Sequence, residues 1–108
     1  MSAGAAEFGL EQMGPDNYRC EVVITYAEGL HVRPCTEFAA LALTFESEIH
    51  VHFGNLHVDG KAPMDLLTLA AGAGSRLNLE ARGRDAREAL AALAGLVHSG
   101  FPEGKAAS

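Results

Sequence analysis

The chain of 108 residues carries 14 acidic against 8 basic side chains, a net charge of −6, with 48% hydrophobic residues and no tryptophan. That composition implies one globular domain with a core of Leu, Val, Ile and a few Phe, and it lacks the basic stripe that nucleic acid or an anionic membrane surface selects for. No apolar run approaches the ~20 residues of a membrane span, the start MSAGAAEFGLEQMG lacks the basic and apolar regions of a signal peptide, and Cys20 and Cys35 are not spaced as a CxxC pair, so a cytoplasmic protein with two reduced thiols is expected.

Residues 1–17 are rich in Gly, Ala and small polar residues and end in Gly14-Pro15-Asp16-Asn17, which reads as a flexible leader before a domain over 18–101 and a tail over 102–108. From Tyr18 to Tyr26, Cys20, Val22 and Ile24 alternate with Arg19, Glu21 and Thr25, the pattern of a strand with one buried face. After Pro34, Phe38, Leu41, Ala42 and Phe45 fall at helical spacing. Proline is tolerated in a first turn, so this helix is predicted to begin around His31 to Arg33 and to run to about Thr44.

In IHVHFGNLHVDG, Ile49, Val51 and Phe53 point one way and His50 and His52 the other, with Gly54-Asn55 as a two-residue hairpin turn. That register places Phe53 opposite Leu56, His52 opposite His57, Val51 opposite Val58 and His50 opposite Asp59. A short helix is predicted from Pro63 to Ala70, stopped by Gly72 and Gly74. Leu77, Leu79 and Ala81 alternate with polar neighbours as a fourth strand. Asp85, with Glu88 three residues on, reads as an N-cap and capping box for a last helix striped by Ala89, Leu90, Leu93, Leu96 and Val97 and ended by Gly100 and Pro102. The order βαββαβα predicts an α+β fold: a four-stranded antiparallel sheet with three helices on one face and water on the other.

Two segments carry a resemblance. Gly29-Leu30-His31-Val32-Arg33-Pro34 sits where strand gives way to helix, and Lys61-Ala62-Pro63-Met64 opens the short helix. With the order of elements from Tyr18 to Val97, they resemble the HPr phosphocarrier family of the sugar phosphotransferase system. The resemblance implies an open-faced β-sandwich in which His31 carries a phosphoryl group on Nδ1, received from enzyme I charged by phosphoenolpyruvate and passed to the A component of an enzyme II. The chemistry agrees. An imidazole with a pKa near ~6.5 is largely a neutral nucleophile at pH 7. A helix N-terminus offers amides and partial positive charge to a phosphoryl group, and the amides of Arg33, Cys35 and Thr36 are the expected donors. Arg33 adds a planar fork suited to phosphate oxygens. There is neither a G-x-x-x-x-G-K-[ST] loop nor a dinucleotide-binding glycine fingerprint. No cofactor is therefore expected, and the chain reads as a monomeric relay component rather than an enzyme with its own turnover.

The chain departs from the family pattern in three places. Ala62 stands where many members have a regulatory serine, so that switch is not expected. The first helix shows Thr36, Glu37, Ala40 and Leu43, and Asp65 follows Met64, so apart from Arg33 the expected docking surface is poor in positive charge. Docking is then expected to be more apolar, through Pro63, Met64 and Leu67, or to serve a variant partner such as the enzyme I of a nitrogen-related branch, with the chain as a regulatory binding module. Cys35 at a helix N-terminus is either an activated thiol or a small packing residue, the reading favoured here. Finally, His50, His52, His57 and Asp59 share the solvated sheet face, and three imidazoles and a carboxylate are a weak candidate for zinc against plain solvated polar positions.

Overall fold

A computed structural model describes residues 9–102 of the chain. Its elements are β1 (Glu11–Gly14), β2 (Asn17–Val23), α1 (Val32–Leu43), β3 (Glu48–Phe53), β4 (Leu56–Asp59), α2 (Pro63–Thr68), β5 (Arg76–Arg82) and α3 (Ala86–His98). The strands form one antiparallel sheet in the order β1-β2-β5-β3-β4. Cys20 pairs with Leu79 and Val22 with Leu77 on one side of β5, and Ile49 with Ala81 and Val51 with Leu79 on the other. All seven are buried. Leu79, fully shielded at the middle of this row, contributes roughly 2 kcal/mol by burial alone.

The helices cover that apolar face. Pro34, Cys35, Phe38, Ala39 and Ala42 form the buried stripe of α1, and Ala86, Ala89, Leu90, Leu93, Ala94 and Val97 that of α3. The β3–β4 hairpin has the register read from the sequence at all four pairs. No helix of the described residues is long and apolar enough to cross a membrane.

The sheet has five strands, not four. Within the expected leader, Glu11 pairs with Arg19, Gln12 with Tyr18 and Gly14 with Asn17, with a bulge between Gln12 and Gly14. Gly14 to Asn17 is a turn signal between two short extended segments, and the Gly83 amide donates to Asp16 O at 2.8 Å, tying that turn to the end of β5. The leader's first eight residues, and residues 103–108 of the expected tail, lie outside the described part. β2 ends at Val23, so Tyr26 belongs to the following loop. α2 ends at Thr68 because Ala70 takes the left-handed conformation, φ +51°, before either expected glycine is reached.

The capping box also resolves differently. Asp85 occupies the N-cap of α3 but makes no side-chain cap bond to its own helix. Its Oδ1 accepts from the Ser47 amide at 3.0 Å and the Ser47 hydroxyl at 2.5 Å, and its Oδ2 from the Glu46 amide at 2.9 Å. Ser47 is buried, so its polar atoms need these partners. Gly83 allows the approach: at φ +145°, a Cβ there would stand 2.6 Å from Ser47 Oγ and 2.8 Å from Ser47 Cα.

The Ser47 hydroxyl and the Glu46 and Ser47 amides hold the Asp85 carboxyl below the usual carboxylate range. A depressed folded-state pKa contributes stability that is complete above the unfolded value of about 3.9 and is lost as pH falls through the folded value. Asp85→Asn is therefore expected to lower the thermal midpoint at pH 7, with a gap to the parent that narrows below about pH 4. Thermal melts of both proteins from pH 7 to 3 check this, and a gap independent of pH would show that the charge of Asp85 is not what matters.

Candidate functional site

The site is built at the joint between β2 and α1. Ile24 continues the β2 direction by accepting from the Gly74 amide at 2.8 Å and donating to Ser75 O at 2.9 Å. The chain then turns, with the Gly29 amide donating to Tyr26 O at 2.9 Å and the Leu30 amide to Ala71 O at 2.8 Å. Gly29 adopts φ +72°, and a Cβ there would lie 2.7 Å from Ala71 O and 2.9 Å from Gly72 Cα. Only glycine permits this contact between two loop backbones, and the contact sets where His31 emerges.

His31 is the N-cap of α1, with extended backbone and no side-chain cap hydrogen bond. Its carbonyl starts the helical ladder by accepting from the Cys35 amide at 3.0 Å. The half-buried imidazole is thus not used for capping. It lies against the Tyr26 ring, centroids 5.5 Å apart, in an open depression lined by Tyr26, Glu28, His31 and Arg33.

Arg33 is firmly placed. Its Nη1 donates to Glu37 Oε2 at 2.7 Å and its Nη2 to the Phe101 carbonyl at 3.0 Å, and its guanidinium carbon sits 5.2 Å from the centre of the Tyr26 ring. The Tyr26 side chain and the Glu37 carboxylate push its pKa up, so it stays charged. Phe101 reaches this position because Gly100 and Phe101 both take positive φ after α3, folding the chain back so that the buried Phe101 ring meets Tyr26 edge-on at 6.1 Å. Tyr26 and Phe101 are not legible as site residues in the sequence. Glu37 was detectable, since Arg and Glu four apart on a helix are a known pairing. Tyr26 carried no such signal.

Two expectations change. Of the three amides expected to face an anion, that of Cys35 is already bound to His31 O, and in a regular helix that of Thr36 belongs to the Val32 carbonyl. Pro34 has no N–H. The amides preceding the ladder in this turn are those of Val32 and Arg33. Cys35 is buried to 1% exposure, and that burial raises its pKa rather than activating the thiol. Burial pushes Cys20 up to about 11. Both cysteines are free thiols.

Among the proposed docking residues Pro63 and Met64 are exposed, Met64 to 71%, while Leu67 is half-buried against the core. Val32, at 65%, adds an apolar side chain one residue from His31. Ala62 is the N-cap of α2.

The hairpin histidines engage one another. His52 stacks on His57 with centroids 4.4 Å apart, His50 Nδ1 lies 2.9 Å from His57 Nε2, and His50 Nε2 and His52 Nε2 meet Glu48 and Glu80 at 3.1 and 3.5 Å. Asp59 accepts from the Lys61 amide at 2.9 Å. Among the described residues no three His, Cys, Asp or Glu side chains converge to hold a metal ion.

A family model described as the PTS HPr component phosphorylation site matches residues 18–99. The phosphocarrier protein HPr of Neisseria meningitidis serogroup A is 40% identical over 77 residues, covering 71% of this chain and 86% of the relative. The phosphocarrier protein NPr of Shewanella violacea is 36% identical over 83 residues, covering 77% and 91%. Among solved structures, HPr-C-His from Thermoanaerobacter tengcongensis superposes with a TM-score of 0.75 at 35% identity, covering 79% of this chain and 96% of that one.

Gly29→Ala combines a left-handed alanine with a close backbone contact and is expected to cost about 2 kcal/mol, readable by urea denaturation. A cost under a few tenths would mean that the loop contact is dispensable. Both thiols should resist iodoacetamide in the native protein at pH 8 and react fully once it is unfolded. Rapid native labelling of Cys35, traced by peptide mapping, would instead mark it as an activated thiol.

Proposed function

This chain belongs to the HPr phosphocarrier family of the phosphotransferase system, and we propose that His31 is its phosphoryl acceptor, charged by enzyme I and discharged to an enzyme II A component. The observation that carries the reading is the state of His31: it starts α1 through its backbone alone, and its ring is left at the mouth of a solvent-open depression beside Arg33.

In the forward step the Nδ1 lone pair of neutral His31 attacks the phosphorus of a phosphohistidine on enzyme I. A new P–N bond forms, the donor's P–N bond breaks, and its electron pair returns to the donor imidazole. The proton on His31 Nε2 and the proton on the unphosphorylated nitrogen of the donor ring both stay in place, so the exchange needs no further acid or base. Discharge is the same step with this chain as donor. The partial positive charge at the N-terminus of α1, the Val32 and Arg33 amides and the Arg33 guanidinium favour the added negative charge of the phosphoryl group. Enzyme I and the A component would dock over Val32, Pro63 and Met64, an apolar surface with little positive charge around it.

The similarity to an NPr protein and that low positive charge favour a second reading, a regulatory module whose phosphorylation state is read by a partner. It uses the same His31 chemistry and differs only in the acceptor.

Incubation with phosphoenolpyruvate and the organism's own enzyme I is expected to add one phosphoryl group that survives alkali, is lost in acid and maps to His31, and His31→Ala should take up none. Intact mass and peptide mapping read the result. Absence of label on the wild-type chain would end the carrier reading. Delivery of the label to a sugar-specific A component, or its retention, separates the sugar-transport from the regulatory role.

A further inference from the structure

We infer that Glu37 is a positioning residue that holds Arg33 in the unphosphorylated protein and thereby limits how tightly the acceptor site keeps its phosphoryl group. This rests on His31 being the acceptor. Glu37 lies on the second turn of α1, and its carboxylate takes Arg33 Nη1 at 2.7 Å while the Phe101 carbonyl takes Nη2 at 3.0 Å. Both terminal nitrogens of the guanidinium are therefore engaged before any phosphoryl group arrives. The two partners are not equivalent. The Phe101 carbonyl is neutral and fixed by the backbone, whereas Glu37 carries a full negative charge on a flexible, half-buried side chain.

A phosphoryl group on His31 brings close to two negative charges to the depression that Arg33 lines. To turn the Nη1–H now held by the carboxylate to the phosphoryl group, the guanidinium must release Glu37, and to stay paired it must meet the phosphoryl group already partly neutralised. Either way the gain on phosphorylation is offset by what Glu37 loses, and two anions compete for one cation. The exchange makes and breaks only hydrogen bonds and ion pairs, and the P–N chemistry at His31 is unchanged. The result is a phosphoryl group held less tightly and passed on more readily than an unpaired arginine would allow. Glu37 thus sets transfer potential without touching the reacting atoms.

The test is a phosphoryl exchange between two copies of the full chain. Nitrogen-15-labelled wild-type protein, phosphorylated on His31, is mixed with unlabelled Glu37→Gln and a catalytic amount of enzyme I without phosphoenolpyruvate. Intact mass then gives the partition at equilibrium. Glutamine keeps the shape and removes the charge, so the label is expected to favour the variant about three-fold at low salt, the scale of one partly exposed ion pair. That preference should shrink towards one near ~1 M salt, where the Debye length falls to about 3 Å. Glu37→Asp, which keeps the charge, should partition close to the wild type. An even partition for Glu37→Gln at low salt, a preference that salt does not alter, or Glu37→Asp behaving as Glu37→Gln would each overturn the inference. Those outcomes leave His31 as the acceptor. A wild-type chain that never takes label on His31 overturns both.

Discussion

The sheet has one apolar face, and that single constraint orders the molecule. Cys20, Val22, Ile49, Val51, Leu77, Leu79 and Ala81 form one continuous buried row, while Arg19, Glu21, Arg76, Asn78 and Arg82 stand in water on the other side. Helices can be recruited only to the first face. Each crossover must therefore leave the end of a strand, turn sharply and come back over the same side. The turn from β2 into α1 is one of these, and it has to be made in eight residues between Val23 and Val32. The positive φ of Gly29, pressed on the Ala71–Gly72 backbone, is how the chain achieves it. The N-terminus of α1 then points out of the layer with His31 at its start. The site's position is thus a consequence of one-sided burial.

The same logic draws in the end of the domain. α3 lies over β2 and β5, and after His98 the chain reverses through Gly100 and Phe101 at positive φ. A non-glycine residue pays for that conformation, of order 1 kcal/mol. Here the burial of a phenylalanine side chain, worth roughly 2–3 kcal/mol, outweighs it. Because the Phe101 ring goes inward, its carbonyl is turned towards Arg33, and its ring edge supports Tyr26 from behind. Tyr26 in turn packs against both His31 and Arg33. Residues 75 positions apart, Tyr26 and Phe101, therefore hold the imidazole and guanidinium in place.

Much of this was readable from the chain, for reasons that differ by element. The β3–β4 hairpin register was legible because period-two alternation and a Gly-Asn turn leave one consistent pairing. α1 was legible because Pro34 marks a first turn and the apolar stripe has helical spacing. β1 was not: its four residues, Glu-Gln-Met-Gly, hold one apolar side chain and sit at an exposed edge, so they carry no burial pattern to detect. Asp85 misled because an N-cap residue is recognised by its neighbours in sequence, whereas its carboxylate found stronger donors 38 and 39 positions away. His31 and Arg33 were visible through their segment. Tyr26 and Phe101 were not, since they act through the tertiary packing of two loops. The Cys35 amide does not face an anion because the first bond of the helical ladder, to His31 O, already takes it.

A carrier differs from a binding site in what its electrostatics must achieve. A phosphoryl group held by a free guanidinium and a full set of helix N-terminal amides would sit in a deep well, and a deep well suits a sink rather than a relay. Here the favourable terms are trimmed one by one. Pro34 removes an amide, the Cys35 amide is drawn into the ladder by His31 O, and the Arg33 arms are already shared with Phe101 O and Glu37. Glu28 adds a further negative charge at the rim of the depression. What remains is the dipole of a twelve-residue helix, about half a unit of positive charge, with one arginine and two amides. Glu37, one of the side chains that leave the exposed face of α1 poor in positive charge, is thus also the anion that Arg33 already holds.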